Sequence, residues 1–185
     1  MSLRPDLVDC WISRPGPSGT EILLLRRSPG RILAGLWQCV SGSLEPGERV
    51  ALGALRELVE ETGFGPEAIE AFYDLDLVNQ FYEPSVDAVM TAAVFAVRLR
   101  PGAEPSLSHE HDGMRWLPID EAHRTVVWPG YRTALERIRD DLGDPERAWW
   151  FELTLDGDRR PDQPPPGEVG TRGPADPTVG PSPRS

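Results

Sequence analysis

Apolar residues along this chain gather into runs whose lengths and periods separate strands from helices. "LVDCWIS" (7–13) and "EILLLRR" (21–27) have strand length, with the turn-rich "RPGPSG" between them and "SPGR" after the second. "GLWQCVSGSL" (35–44) predicts another strand, running into an "EPGE" turn. From about Glu48 to Thr62 the period changes: Ala51, Leu55, Leu58 and Val59 recur at helical spacing, and Gly63 is placed to cap the helix in the left-handed conformation. "AFYDLDLVNQFY" (71–82) and "DAVMTAAVFAVRL" (87–99) predict antiparallel neighbours, and "GMRWLPI" (113–119) a shorter strand. "PGYRTALERIRDDLG" (129–143) predicts a second helix, with proline in its first turn and glycine after its last. "AWWFELTL" (148–155) reads as a last strand or an irregular apolar edge. Strands and helices do not alternate regularly. The expectation is therefore an α+β fold, a mixed sheet sandwiched between helices, and not a doubly wound parallel sheet.

Composition changes this picture at the C-terminus. Residues 156–185 hold eight prolines, five glycines and no aromatic residue. Such a segment buries too little apolar surface to offset the entropy of ordering, so residues 1–155 are expected to form the domain and 156–185 a disordered tail. The formal net charge is −11, of which the tail's five acids and four arginines contribute only −1. An acidic domain is a poor partner for a nucleic acid polymer. It can still bind a small anion where a divalent metal reverses the local field. Cys10 and Cys39 lie in apolar, strand-like context without metal-ligand spacing, as expected of core thiols in a reduced compartment. The opening "MSLRPDLVDCWI" lacks the apolar run of a signal peptide, and no stretch has the length of a membrane span. The expectation is a cytoplasmic protein that does not contact a membrane.

The chemistry concentrates in "GSLEPGERVALGALRELVEETGF" (42–64), where Glu48, Glu57, Glu60 and Glu61 surround one arginine, Arg56. Clustered carboxylates repel one another, and a solvated helix intersperses opposite charges instead. At about 100° per residue, Glu61 lies roughly 40° from Glu57 in one direction and Glu60 roughly 60° in the other. The three thus form one acidic patch, and Gly53, a turn earlier, leaves room beside it for a ligand. Several oxygen ligands at one spot suit Mg²⁺ or Mn²⁺.

These residues match the Nudix box, G-x₅-E-x₇-R-E-U-x-E-E-x-G-U with U apolar. Gly42, Glu48, Arg56, Glu57, Leu58, Glu60, Glu61, Gly63 and Phe64 occupy every fixed position. The chain therefore resembles the Nudix hydrolase family over most of residues 5–143. The resemblance implies hydrolysis of a diphosphate linkage in a nucleoside triphosphate or a related nucleoside diphosphate compound. It implies Glu57, Glu61, Glu60 and the Gly42 carbonyl as metal ligands and Arg56 as the residue that holds the glutamates, with Glu48 its partner. Glu60, Glu61 or a carboxylate from a later loop, here Glu110, would serve as the base. Glu45 is a weaker loop candidate. Homodimers are common in the family, and nothing in the sequence selects a state.

Outside the box, "LWQCVSGSLEPGE", "HEHDGMRWL" and "WPGYRTALERI" resemble the bacterial dihydroneopterin triphosphate pyrophosphohydrolases of that family. Tyr82 stands near the position where diadenosine polyphosphate hydrolases carry a tyrosine. Val78 and Asn79 stand where ADP-ribose pyrophosphatases carry a proline. A sensor that binds nucleotide on the same fold without cutting it is the reading from another class, and it usually lacks one of the box glutamates present here. Arg26 and Arg27 end a strand and are candidates for a substrate phosphate. Trp37, Trp116 and Trp128 could stack on a base, although strand tryptophans are usually core. His109 and His111 are expected in a solvated loop.

Overall fold

Val8, Cys10 and Ile12 alternate with Asp9, Trp11 and Ser13 along the first strand, and both sets are buried. A strand buried on both faces must lie inside a sheet that is itself covered on both faces. The computed structural model describes residues 4–160. Its strands are β1 (Leu7–Gly16), β2 (Gly19–Arg27), β3 (Trp37–Gln38), β4 (Val40–Ser43), β5 (Ile69–Glu83), β6 (Ala88–Leu99), β7 (His111–Pro118) and β8 (Glu152–Leu153). Its helices are α1 (Val50–Thr62), α2 (Ile119–Thr125), α3 (Pro129–Asp140) and α4 (Pro145–Phe151). The main path through the sheet is β3-β2-β1-β6-β5-β8, with β4 on β1 and β7 on β2. Only the β1–β6 pairing is parallel, so the sheet is mixed.

Two cores lie on opposite faces. Val8, Cys10, Ile12, Leu23, Leu25 and Val97 pack against Ala54 and Leu58 of α1. Trp11, Leu24, Tyr73, Val94 and Ala96 pack against Ala122 of α2, Leu135 and Ile138 of α3 and Ala148 of α4. This is the expected α/β/α sandwich, and both cysteines are buried free thiols within it. No helix among the described residues is long and apolar enough to cross a membrane.

The outer edge of β1 is shared. Leu7–Cys10 pairs with β4, and Ile12–Gly16 pairs with β2. The single strand expected at 35–44 is accordingly two: Trp37 and Gln38 pair with β2, and the chain then crosses at Cys39 to pair Val40–Ser43 with β1. The helix expected from Glu48 begins at Val50, because Glu48 turns back to accept from the Glu45 N–H at 3.0 Å. Apolar length misled the reading at 148–155. Asp144 caps Glu146 N and Pro145 takes the first helical turn, so most of that run is α4 and only Glu152 and Leu153 are strand. Helix α2, absent from the sequence reading, is too short for periodicity to reveal. Asp120 and Glu121 in its first turn and His123 and Arg124 in its last suit the helix dipole. The described chain continues past the boundary expected at 155, and the tail reading for 161–185 lies outside the described residues.

Leu58 is fully buried against the sheet, whereas its neighbour Val59 is 46% exposed. Leu58→Ala is expected to cost about 2–5 kcal/mol in urea unfolding through loss of burial and a residual cavity. Val59→Ala should stay within about 0.5 kcal/mol.

Candidate active site

Arg56 lies at the centre of the acidic loop and helix. Its Nε donates to Glu48 Oε1 at 2.8 Å and its Nη2 to Glu48 Oε2 at 3.1 Å, a two-pronged contact. Nη1 donates to Glu57 Oε1 at 2.8 Å and Glu60 Oε2 at 3.2 Å, and Nη2 also to the Ser43 carbonyl at 2.9 Å. The hydrogen bond from Arg56 holds the Glu48 carboxyl below its ordinary range.

The three helix glutamates do not share one open patch. Glu60 is 57% exposed, whereas Glu57 and Glu61 retain only 12% and 5% side-chain exposure. Glu57 lies directly over Gly42, so any side chain at 42 would overlap its carboxylate. That close approach explains the glycine. Gly53 does not open space for a ligand as expected: Leu44 and Glu48 fill the position its Cβ would take.

Glu61 carries the most costly charge in the site. Its Oε1 accepts weakly from Ser41 N at 3.4 Å, while Oε2 is buried and has no hydrogen-bond partner among the described residues. Burial first, then the negative charges of Glu57 and Glu110, push its carboxyl up to about 8. Burial also raises Glu57. His111 corrects the solvated-loop expectation. It opens β7 opposite Arg27, is buried, and places Nε2 3.7 Å from Glu61 Oε2. Among the described residues neither of its ring nitrogens has a hydrogen-bond partner, nor does Gln38 Nε2, while Arg27 Nη1 donates to Gln38 Oε1 at 3.3 Å. Burial pushes the His111 pKa down, so the neutral ring is favoured. The signal for His111 was its place beside Glu110, once β7 is taken to start at 111 and not at 113.

A hard cation fits this chemistry. Among the described residues Glu61 Oε2 is a buried carboxyl oxygen without a donor, and the Glu57 carboxylate is close enough for its charge to raise the Glu61 pKa. In the resting arrangement Arg56 engages Glu57 and Glu60, and among the described residues no three acidic, His or Cys side chains converge at coordinating distance.

The other candidates scatter. Glu110 lies in the loop before β7, where Arg31 Nη2 donates to it at 2.9 Å and also lies 3.0 Å from His109 Nε2. Arg26 and Arg27 diverge: Arg26 pairs with Asp112 at 2.7 Å and only Arg27 reaches the glutamate side. Trp37 lies under Arg115, 4.6 Å from its centroid, and Trp116 under Arg14 at 3.9 Å. Trp128 is the N-cap residue of α3 and is partly exposed. Tyr82 stands near the tip of the β5–β6 hairpin, where its hydroxyl donates to Asp87 at 2.7 Å, and Glu45 is an exposed turn residue. Asp9 escaped the sequence reading altogether. It is a buried carboxylate on the opposite face, bonded by Asn79 Nδ2 at 2.8 Å and raised by burial.

The family profile described as the NUDIX domain matches residues 4–138. An octanoyltransferase of Myxococcus xanthus is 36% identical over 124 residues, which cover 66% of this chain and 33% of that protein. An ADP-ribose pyrophosphatase of Mycobacterium tuberculosis is 36% identical over 95 residues, 50% of this chain and 44% of that protein. The chain therefore spans less than half the length of these relatives. The dihydroneopterin triphosphate pyrophosphohydrolase of Escherichia coli shares the fold, with a TM-score of 0.61 at 23% identity over 72% of this chain and 94% of that one.

Because the Glu61 pKa is raised in the fold, the native state binds more protons than the unfolded state between the ordinary carboxyl value of 4.5 and about 8. In chelator, the Glu61 contribution to stability is expected to be full below that window and to be lost as pH rises through it, by at most about 1.4 kcal/mol per pH unit for one proton. Glu61→Gln should flatten the slope. Thermal melts at several pH values in EDTA measure both.

Proposed function

The chain belongs to the NUDIX family, and we propose that it is a divalent-cation-dependent diphosphohydrolase acting on a nucleoside triphosphate or a related nucleoside diphosphate compound. The observation that carries this reading is Glu61 Oε2, a buried carboxyl oxygen without a donor among the described residues, whose other oxygen accepts from Ser41 N, one residue before the Gly42 that Glu57 covers. Removing a charge from water without a partner is costly, and a fold retains such a group where a ligand compensates it.

Glu57, Glu61 and the Gly42 carbonyl would hold Mg²⁺ or Mn²⁺, with Glu60 at the outer edge of the site. The cation supplies charge that screens the diphosphate and makes water more acidic. Arg56 keeps the glutamates at one place and one distance, and Glu48 orients Arg56. Arg27 faces the same space with no carboxylate partner within 4 Å among the described residues, and it binds a phosphate oxygen. Glu110 accepts the proton of the attacking water after Arg31 releases it, as a loop carboxylate of suitable reach can. The acidic balance of the chain opposes a nucleic acid polymer as substrate and favours a small phosphorylated one. Candidates by chemistry are dihydroneopterin triphosphate and modified deoxynucleoside triphosphates, with diadenosine polyphosphates, ADP-ribose and nucleotide sugars as alternatives. A nucleotide-binding sensor is the competing class. The complete set of box glutamates favours the enzyme.

The test is phosphate-product release across that substrate panel, in Mg²⁺ and in chelator. One substrate should exceed about 10⁴ M⁻¹s⁻¹ in kcat/KM, and chelator should abolish turnover. Uniformly negligible turnover with intact nucleotide binding would favour the sensor. Glu61→Gln should lower kcat by at least about 10²-fold. Arg27→Ala should raise KM by about 10–100-fold, the value of one hydrogen bond to a charged group.

A further inference from the structure

We propose that Arg49 is a positioning residue for the glutamates of α1, and that residues 152–160 form the strap through which it acts. This inference rests on the cation-dependent reading above, but its first measurement does not. The strap lies outside the residues matched to the family, 4–138. Glu152 and Leu153 attach it to the sheet by pairing with Tyr73 and Phe72. It then folds back on itself: Thr154 N donates to the Asp158 carbonyl at 2.8 Å, Gly157 N to the Thr154 carbonyl at 2.9 Å, and Leu153 bridges Arg159. Arg159 braces it further, donating to the Trp150 carbonyl at 2.9 Å and pairing with Asp74 at 3.6 Å.

Arg49 grips this turn with both ends of its guanidinium. Nη1 donates to the Asp156 carbonyl at 2.7 Å, and Nη2 donates to Asp158 Oδ1 at 2.6 Å and the Gly157 carbonyl at 3.3 Å. Gly157, at φ 77°, lies so close to the helix that a Cβ there would stand 2.8 Å from Ala51 Cβ.

The start of α1 needs an external hold. It has no side-chain cap and no acid in its first turn, and a cation at that end opposes the helix dipole. Arg49 is thus a poor choice for the helix alone. Its carbonyl nevertheless accepts the first helical bond, from Gly53 N at 2.9 Å, while its side chain is tied to the strap. Glu48, the preceding residue, gives both carboxylate oxygens to Arg56. The strap therefore anchors the backbone one residue from the clamp that orients Glu57 and Glu60. One exposed ion pair contributes little to global stability. A three-pronged grip on a braced turn instead limits local fraying and helix tilt, which the metal ligands at the far end of α1 would feel as lost preorganisation.

The test compares full-length wild type, Arg49→Ala and Gly157→Ala, the second being a wedge that leaves Arg49 intact. Hydrogen–deuterium exchange is read in chelator, and thermal shift is read against Mg²⁺ concentration. In both variants, amides 53–56 are expected to exchange about tenfold faster, and the Mg²⁺ midpoint to rise about three- to tenfold. Leu135→Ala, in the core under α3, should lower the melting temperature without moving that midpoint. Faster exchange confined to 152–158, with α1 amides and the Mg²⁺ midpoint unchanged, overturns the proposal. An equal midpoint shift in Leu135→Ala also overturns it, because general destabilisation would then suffice. If Mg²⁺ does not stabilise wild type, the cation reading falls and the exchange comparison alone decides the strap.

Discussion

Three carboxylates stay together in this fold because one guanidinium lies among them. Arg56 reaches Glu48, Glu57, Glu60 and the Ser43 carbonyl, and so joins the loop before α1 to two successive turns of the helix. Without it Glu48, Glu57 and Glu60 would repel one another, and Glu57 would lose a hydrogen bond that holds it over Gly42. The clamp leaves Glu61 outside its reach, and Glu61 Oε2 is buried with no hydrogen-bond partner among the described residues.

The sheet supplies the other half of the geometry. Because β4 and β2 divide one edge of β1 between them, Gly42 and Gln38 arrive beside α1 from neighbouring short strands. Strand β7, paired to β2, brings His111 opposite Arg27 and so into the same space. The glutamates stand on a helix, and Gln38, Gly42, Arg27 and His111 on strands held by ladder hydrogen bonds. The polar groups of the site thus stand on regular elements, with Glu110 and Arg31 paired on loops at 2.9 Å.

The C-terminal segment reaches the start of the motif's helix without altering the motif. The box is complete, yet the residue that begins its helix is held by a turn more than one hundred positions later in sequence. Residues 145–160 extend the second core through Ala148 and the sheet through Leu153, and they end against the helix of the first core. They therefore tie the two layers together across the edge of the sheet.

The sequence by itself determined the elements with strong periods and the motif with fixed spacing. The long strands, α1, α3 and the nine box positions were all legible because each is encoded locally, in the run of residues that forms it. Only the tertiary structure decided the rest. Gln38 came beside Arg27 and His111 beside Glu61, Arg26 and Arg27 parted, Glu60 turned outward while Glu61 was buried, and Tyr82 was left on the hairpin. None of these outcomes is a property of neighbouring residues. Each depends on which strand pairs with which, and on what water a distant segment excludes, and those are contacts that local periodicity does not carry.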